Sequence, residues 1–334
     1  MFPTDHLSVA PPLLDKSQNS IAGEASESLE RRSYQALSSP LPVSRKIRNG
    51  LSLFLLLGTI AWFWQPLAAL YSLTQEHPYS HYSHIPLIPL VSLYAFYLNR
   101  KAILASWEWS PLPGLILIGL GAIGYWRADP VIYGADHLSL MILALVVASW
   151  GMFLFCYGLR TCRSFSFGLL FLLWMVPIPA GPLHTIIVFL QRSSTEVTDI
   201  GFSLLGVPVI RDGFMFGLST VTIHVGEGCS GIRSTLSLII ISIVAGHFFL
   251  RSGWGKLVIV AVVVPLAIIK NGVRIVALSL LANYVDPSFV TNGLQHDSIG
   301  LPLFGVSVVI LISLVWVFRI FEQRHGYYPQ GLEG

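Results

Sequence analysis

Eight apolar stretches, each close to the length that crosses a bilayer, constrain this chain more than any other feature. They lie near 51–73, 84–99, 112–126, 138–158, 164–180, 230–250, 255–282 and 301–320. A helix rising 1.5 Å per residue needs about 20 apolar residues, with a range of roughly 17 to 25, to cross a hydrocarbon core of about 30 Å. Backbone polar groups find no water there, and a helix is the structure that satisfies them within one segment. The expected fold is therefore an all-α polytopic membrane protein with about eight transmembrane helices. Only 11% of the 334 residues are charged, against roughly 25% in soluble domains, which disfavours a soluble enzyme. A hydrophobic share of 54% excludes a disordered chain. The net charge of +3 is small, and in a membrane protein it reports anchoring positions, so no nucleic-acid partner is expected.

Residues 1–44 are rich in Ser, Pro and charge and read as a disordered cytoplasmic tail, 45–322 as the transmembrane domain, and 323–334 as a short cytoplasmic tail. No signal peptide is expected, because the first apolar run begins at Leu51 and is too long. With the amino terminus inside, fourteen Lys and Arg flank the spans on the cytoplasmic side (Lys16, Arg31, Arg32, Arg45, Lys46, Arg48, Arg100, Lys101, Arg160, Arg163, Arg251, Lys256, Arg319 and Arg324). Three, Arg127, Arg192 and Arg211, fall outside. That asymmetry sets the orientation.

The connection from about 181 to 229 stands out on the outer face. Leu183, Ile186, Ile187, Leu190, Val197, Ile200 and Leu204 recur at helical spacing, which predicts an amphipathic helix lying on the membrane surface. Short β-branched and aromatic runs around Arg211-Asp212-Gly213 predict a β-hairpin. This insertion falls between the fifth and sixth spans.

The remaining cations, Arg233, Lys270 and Arg274, lie within the sixth and seventh spans. A charge in the bilayer core costs at least about 2.5–3.5 kcal/mol, so such residues mark function by default. Snorkelling to the interface is the competing explanation, and it weighs equally for Lys270. At 1.5 Å per residue, Arg274 lies about 27 Å above Lys256, and Cys229 about 33 Å above Arg251. His296 shortly precedes the last span. A thiol, an arginine and a histidine thus converge near the outer surface, with Arg233 expected on the face of Cys229 one turn deeper. A thiolate is favoured at a helix amino terminus and beside cations, His296 suits a general base and acid, and Arg274 suits an oxyanion. Cys156 and Cys162 read as packing residues.

Glu227-Gly228-Cys229-Ser230-Gly231-Ile232-Arg233-Ser234, then Asn271-Gly272-Val273-Arg274-Ile275, then His296 before Gly300, resemble the exosortase/archaeosortase family. Tyr82-Ser83-His84 with Pro86 and Pro89 resembles that family's outer loop before the second span. The likeness covers residues from about 50 to 322. It implies a membrane cysteine transpeptidase of the bacterial inner membrane, with its active site extracytoplasmic. Its partners would be membrane lipid and exported proteins carrying a carboxy-terminal sorting tail of PEP-CTERM type: a Pro-Glu-Pro motif, a hydrophobic helix and a basic cluster. Carried over, the catalytic residues are Cys229, Arg274 and His296, with Arg233, Glu227, Asn271 and His84 supporting or positioning substrate. No cofactor or metal is implied. Gly228 departs from the more usual Ala. Some relatives carry a soluble carboxy-terminal domain linked to exopolysaccharide work; here such a partner would be a separate protein.

Three other readings compete. Gly228-Cys229-Ser230-Gly231 also fits a rhomboid-like serine protease with Ser230 as nucleophile and His296 as base. A non-enzymatic anion carrier would use the buried cations, although no internal repeat supports one. His77, His81 and His84 beside Glu76 are weighed as a metal site against interfacial packing. His224 is a second possible base, and Glu227 is expected to pair with Arg233 or Arg274.

Overall fold

The structure is a computed structural model describing residues 45–75, 82–106, 110–128, 136–286 and 293–324, excepting the side chains of 45 and 293–299. The chain divides into two units, 1–48 and 49–334. Of the first only 45–48 are described, so the expected tail of 1–44 lies outside the described residues, as do 325–334.

The helices are α1 (Arg45–Trp62), α2 (Trp64–Gln75), α3 (Leu87–Ala105), α4 (Pro111–Arg127), α5 (His137–Ser164), α6 (Ser166–Phe171), α7 (Ala180–Leu204), α8 (Ile232–Phe249), α9 (Gly253–Tyr284) and α10 (Gly293–Arg324). Five helical segments are long and apolar enough to cross a membrane, or up to seven if each of two bent pairs is one span. α4, with 17 residues, stands at the short end of the spanning range. The protein is all-α and polytopic.

Two expected spans are not straight. The first breaks at Phe63, and α1 and α2 meet at 63°; Pro66 supplies no backbone donor to the new helix's first turn. The fifth is the short α6 and a 3-10 turn, Leu172–Met175, followed by a bend of 86° into α7. Pro177 and Pro179 stop the helix there. α10 begins at Gly293 rather than near 301, so His296 belongs to a helical first turn and not to a loop.

Hydrogen bonds between elements sort the helix ends into two groups. At one end Tyr82 Oη donates to Ile178 O (3.0 Å), Ala180 N to Asp136 Oδ1 (2.8 Å), and Thr220 N to Asn283 Oδ1 (3.0 Å). At the other, the buried Glu322 carboxylate accepts from Arg251 N (2.9 Å), Ser252 N (3.0 Å) and Ser252 Oγ (2.5 Å). Glu322 thereby joins the last turn of α10 to the first turn of α9.

The amphipathic segment is helical, as its period predicts, but its polar side is the packed one. Ser194, Thr195 and Thr198 have no exposed surface and Gln191 has 7%, whereas Ile200 and Leu204 are 59% and 82% exposed. This polar side meets α9 at close range: a Cβ on Gly272 would lie 2.5 Å from Val197 Cγ1, and one on Gly201 2.8 Å from Val276 Cγ2. Small residues let two backbones approach, so that dispersion contacts and hydrogen bonds join the helices. Thr195 and Thr198 donate back to the Gln191 and Ser194 carbonyls (2.8 and 2.7 Å), leaving no hydroxyl proton wasted.

The expected hairpin gains a third strand. β1 (Ile210–Asp212), β2 (Met215–Gly217) and β3 (Thr222–His224) form an antiparallel meander with Arg211 opposite Phe216 and Phe216 opposite Ile223. Gly213, at φ 58°, makes the turn. Arg211 donates to Glu196 (2.5 and 3.0 Å) and to Asp199 (3.0 Å), pinning the sheet to α7. These hydrogen bonds, from Glu196 first, raise the pKa of Arg211 still further. Phe216 and Val225 pack with Phe202, Ile275 and Val276 in one apolar cluster.

Candidate active site

The chain leaves β3, makes a 3-10 turn at Glu227–Cys229, and enters α8 through Gly231. Gly231 adopts the left-handed conformation, φ 77°, and a Cβ there would meet Asn271 Cγ at 2.7 Å. Only glycine fits both demands. With Gly231 as the left-handed cap of α8, Cys229 stands in the 3-10 turn ahead of the helix rather than on its first turn. Arg233, on the first turn of α8, is exposed.

Two carboxamides hold the turn. Gln191 Nε2, from α7, donates to Val225 O (2.5 Å), and Asn271 Nδ2, from α9, donates to Cys229 O (2.7 Å). The same Asn271 amide donates to Ser194 Oγ (3.0 Å), so it ties α9, α7 and the cysteine turn together. Asn271 is 1% exposed, and an amide serving two acceptors at once uses both of its protons. The half-buried Cys229 packs against the apolar cluster of Phe202, Phe216 and Val225. None of the three cysteines is disulfide-bonded.

Arg274 follows Asn271 by three residues, hence lies on the same side of α9 one turn along. It is half-buried, and its Nε and Nη2 are buried with no hydrogen-bond partner among the described residues. Two guanidinium donors are thus left open to an acceptor from outside the described residues. The guanidinium borders α10: a Cβ on Gly300 would lie 3.7 Å from Arg274 Nη1. His296 precedes Gly300 by four residues, one turn along the same face of α10; its side chain lies outside the described residues.

The structure ties the Cys229 turn to Asn271, sets Arg274 one turn along α9 from Asn271, and places the Arg274 side chain against Gly300, four residues after His296. Other expected members stand elsewhere. Glu227 pairs with neither arginine; its Oε1 lies 4.0 Å from His184 Nδ1, both side chains being 67% exposed. His84 sits in a segment fastened through Tyr82 to Ile178, while His77, His81 and Glu76 lie outside the described residues. Ser230 is 1% exposed, with its Oγ facing the Ile232 N–H at 3.4 Å, a poor posture for a nucleophile. His224 is exposed, on the opposite side of its strand from the buried Ile223 and Val225 that flank it. Lys270 does not snorkel: it is 6% exposed and its Nζ donates to Ser234 Oγ. Gln191, Ser194 and His184 are neighbours that sequence reasoning missed. The polar residues Gln191, Ser194, Thr195 and Thr198, recurring at helical spacing, were the available signal.

A family model described as transmembrane exosortase matches residues 76–313. The chain belongs to the transmembrane exosortase family. No curated protein and no solved structure matches it. The matched exosortase region begins after α2 and ends within α10, and it contains the cysteine turn, Asn271, Arg274 and His296. Membership makes this a multi-pass membrane protein of a transpeptidase and sorting family, acting on proteins that carry sorting signals.

Proposed function

We propose that this exosortase cleaves the carboxy-terminal sorting tail, of PEP-CTERM type, from exported proteins at the outer face of the bacterial inner membrane, through a thioester on Cys229. The observation that carries the reading is the Asn271 bridge, which fixes the cysteine turn to the helix bearing Arg274, two of whose donors have no partner among the described residues. Cys229 lies just ahead of the amino terminus of α8, in the turn that Asn271 holds.

In this reading the substrate's hydrophobic tail docks against the helices and presents its motif at the cysteine turn. Cys229 Sγ gives its proton to the His296 imidazole and attacks the scissile carbonyl carbon. The carbonyl π electrons move to oxygen, where Arg274 meets the oxyanion. As that intermediate collapses the C–N bond breaks, and the imidazolium returns the proton to the departing amine. An acceptor amine or water then attacks the thioester carbonyl and restores the thiol.

Two measurements test this. Acid-quenched reactions of the full-length protein with a tail peptide should yield a hydroxylamine-labile adduct on the peptide containing Cys229, located by mass spectrometry. An adduct on Ser230 instead would refute the mechanism. The Lys and Arg asymmetry further predicts that a membrane-impermeant maleimide, added to intact cells, labels Cys229 and not Cys162; the reverse pattern would invert the topology and move the site to the cytoplasm.

A further inference from the structure

Lys270 is absent from the mechanism above and is buried beside it. Its ammonium donates to the neutral Ser234 hydroxyl, and no carboxylate forms an ion pair with it among the described residues. A methionine would fill the same volume without the desolvation penalty of an ion, which amounts to several kcal/mol even after relaxation. The charge therefore calls for an explanation beyond packing.

The hydrogen-bond chain supplies one. An ammonium has only protons to offer, so a Ser234 oxygen that accepts from Lys270 must direct its own single proton elsewhere. That proton goes to Gly231 O, at 3.0 Å. The same carbonyl receives Thr235 N at 3.0 Å and Thr235 Oγ1 at 2.9 Å. Gly231 is the left-handed residue on which the chain turns from Cys229 into α8. Adjacent residues of α9 thus grip the two ends of one short turn: Asn271 holds the Cys229 carbonyl directly, and Lys270 holds the Gly231 carbonyl through Ser234.

We propose that Lys270 is a positioning residue for the nucleophile, acting through Ser234 to fix the Cys229–Gly231 turn. The role rests on the cysteine reading in one respect, that the turn positions a nucleophile; the grip itself does not depend on it.

The test uses the full-length protein in lipid nanodiscs with Lys270→Met, Ser234→Ala, the double variant and Lys270→Arg. A hydrogen bond involving a charged group is worth enough to change a rate about tenfold. Lys270→Met and Ser234→Ala should each lower kcat for tail cleavage by about that factor with KM within about twofold. The double variant should be no worse than either single one, because both remove the same link. Lys270→Arg, which keeps a cationic donor, should recover part of the loss. Independent losses that multiply in the double variant, or a change confined to KM, would overturn the proposal. Amide exchange of the 226–234 segment reads the grip without any substrate: it should quicken in both single variants and stay at the wild-type rate in Arg233→Gln. Unchanged exchange in Ser234→Ala, which leaves the buried charge in place, would overturn it too. If the wild-type protein cleaves no tail, the proposed function fails, and the exchange measurement still decides the role of Lys270.

Discussion

Cys229→Ala is expected to abolish tail processing, lowering the rate by at least about 10⁴-fold, the scale on which removal of a covalent nucleophile acts. Ser230, the adjacent hydroxyl, is 1% exposed and its Oγ accepts the Ile232 N–H, so a substrate carbonyl does not reach it. Ser230→Ala should therefore retain activity within a few-fold, since it removes one long and weak hydrogen bond. The Ala variant keeps the hydrogen bonds that the Cys229 and Val225 carbonyls accept from Asn271 and Gln191. A Cys229→Ala protein of normal thermal stability that still processes a tagged tail would end the cysteine mechanism. The opposite pattern, an active Cys229→Ala and a dead Ser230→Ala, would establish the rhomboid-like one.

Arg274→Lys should cost about 10²-fold in kcat, even though the charge survives. The reasoning is geometric. Nε and Nη2 are the two atoms left without partners among the described residues, and a planar fork presents them to one acceptor group as a pair. Lysine offers a single nitrogen on a flexible stem and cannot reproduce both vectors. KM should change less than kcat if the acceptor is the oxyanion that develops during reaction. Turnover near the wild-type rate in Arg274→Lys would mean that charge alone is needed, and the two open donors would then need another occupant.

Much of this site was legible in sequence because membranes make some signals loud. Uncompensated cations inside apolar runs singled out Lys270 and Arg274 on energetic grounds, and both lie at the cysteine turn's edge. Arg233, equally loud, turned out to be exposed. Hydropathy and helical period are blind to a single left-handed residue, and Gly231 sets Cys229 in a turn ahead of α8. The helix of 180–204 forms where its period puts it, but periodicity does not show that Gln191, Ser194, Thr195 and Thr198 are buried; within a membrane protein such a stripe finds hydrogen-bond partners on another helix. Periodicity reports that two faces differ; it does not report what each meets. The helix of the fifth span ends at Met175, short of the expected 180, because Pro177 and Pro179 follow.

Glu322 gives α9 and α10 a common fulcrum. Ser252, at the clasp, and Arg274 are 22 residues apart, which is about 33 Å of lever arm. A tilt of α10 against α9 by about 2° about that fulcrum would move the far ends apart by about 1 Å on the same helical rise. Catalytic distances tolerate little more than that. A carboxylate at the far end of the two helices thus bears on the spacing between the arginine's helix and the histidine's.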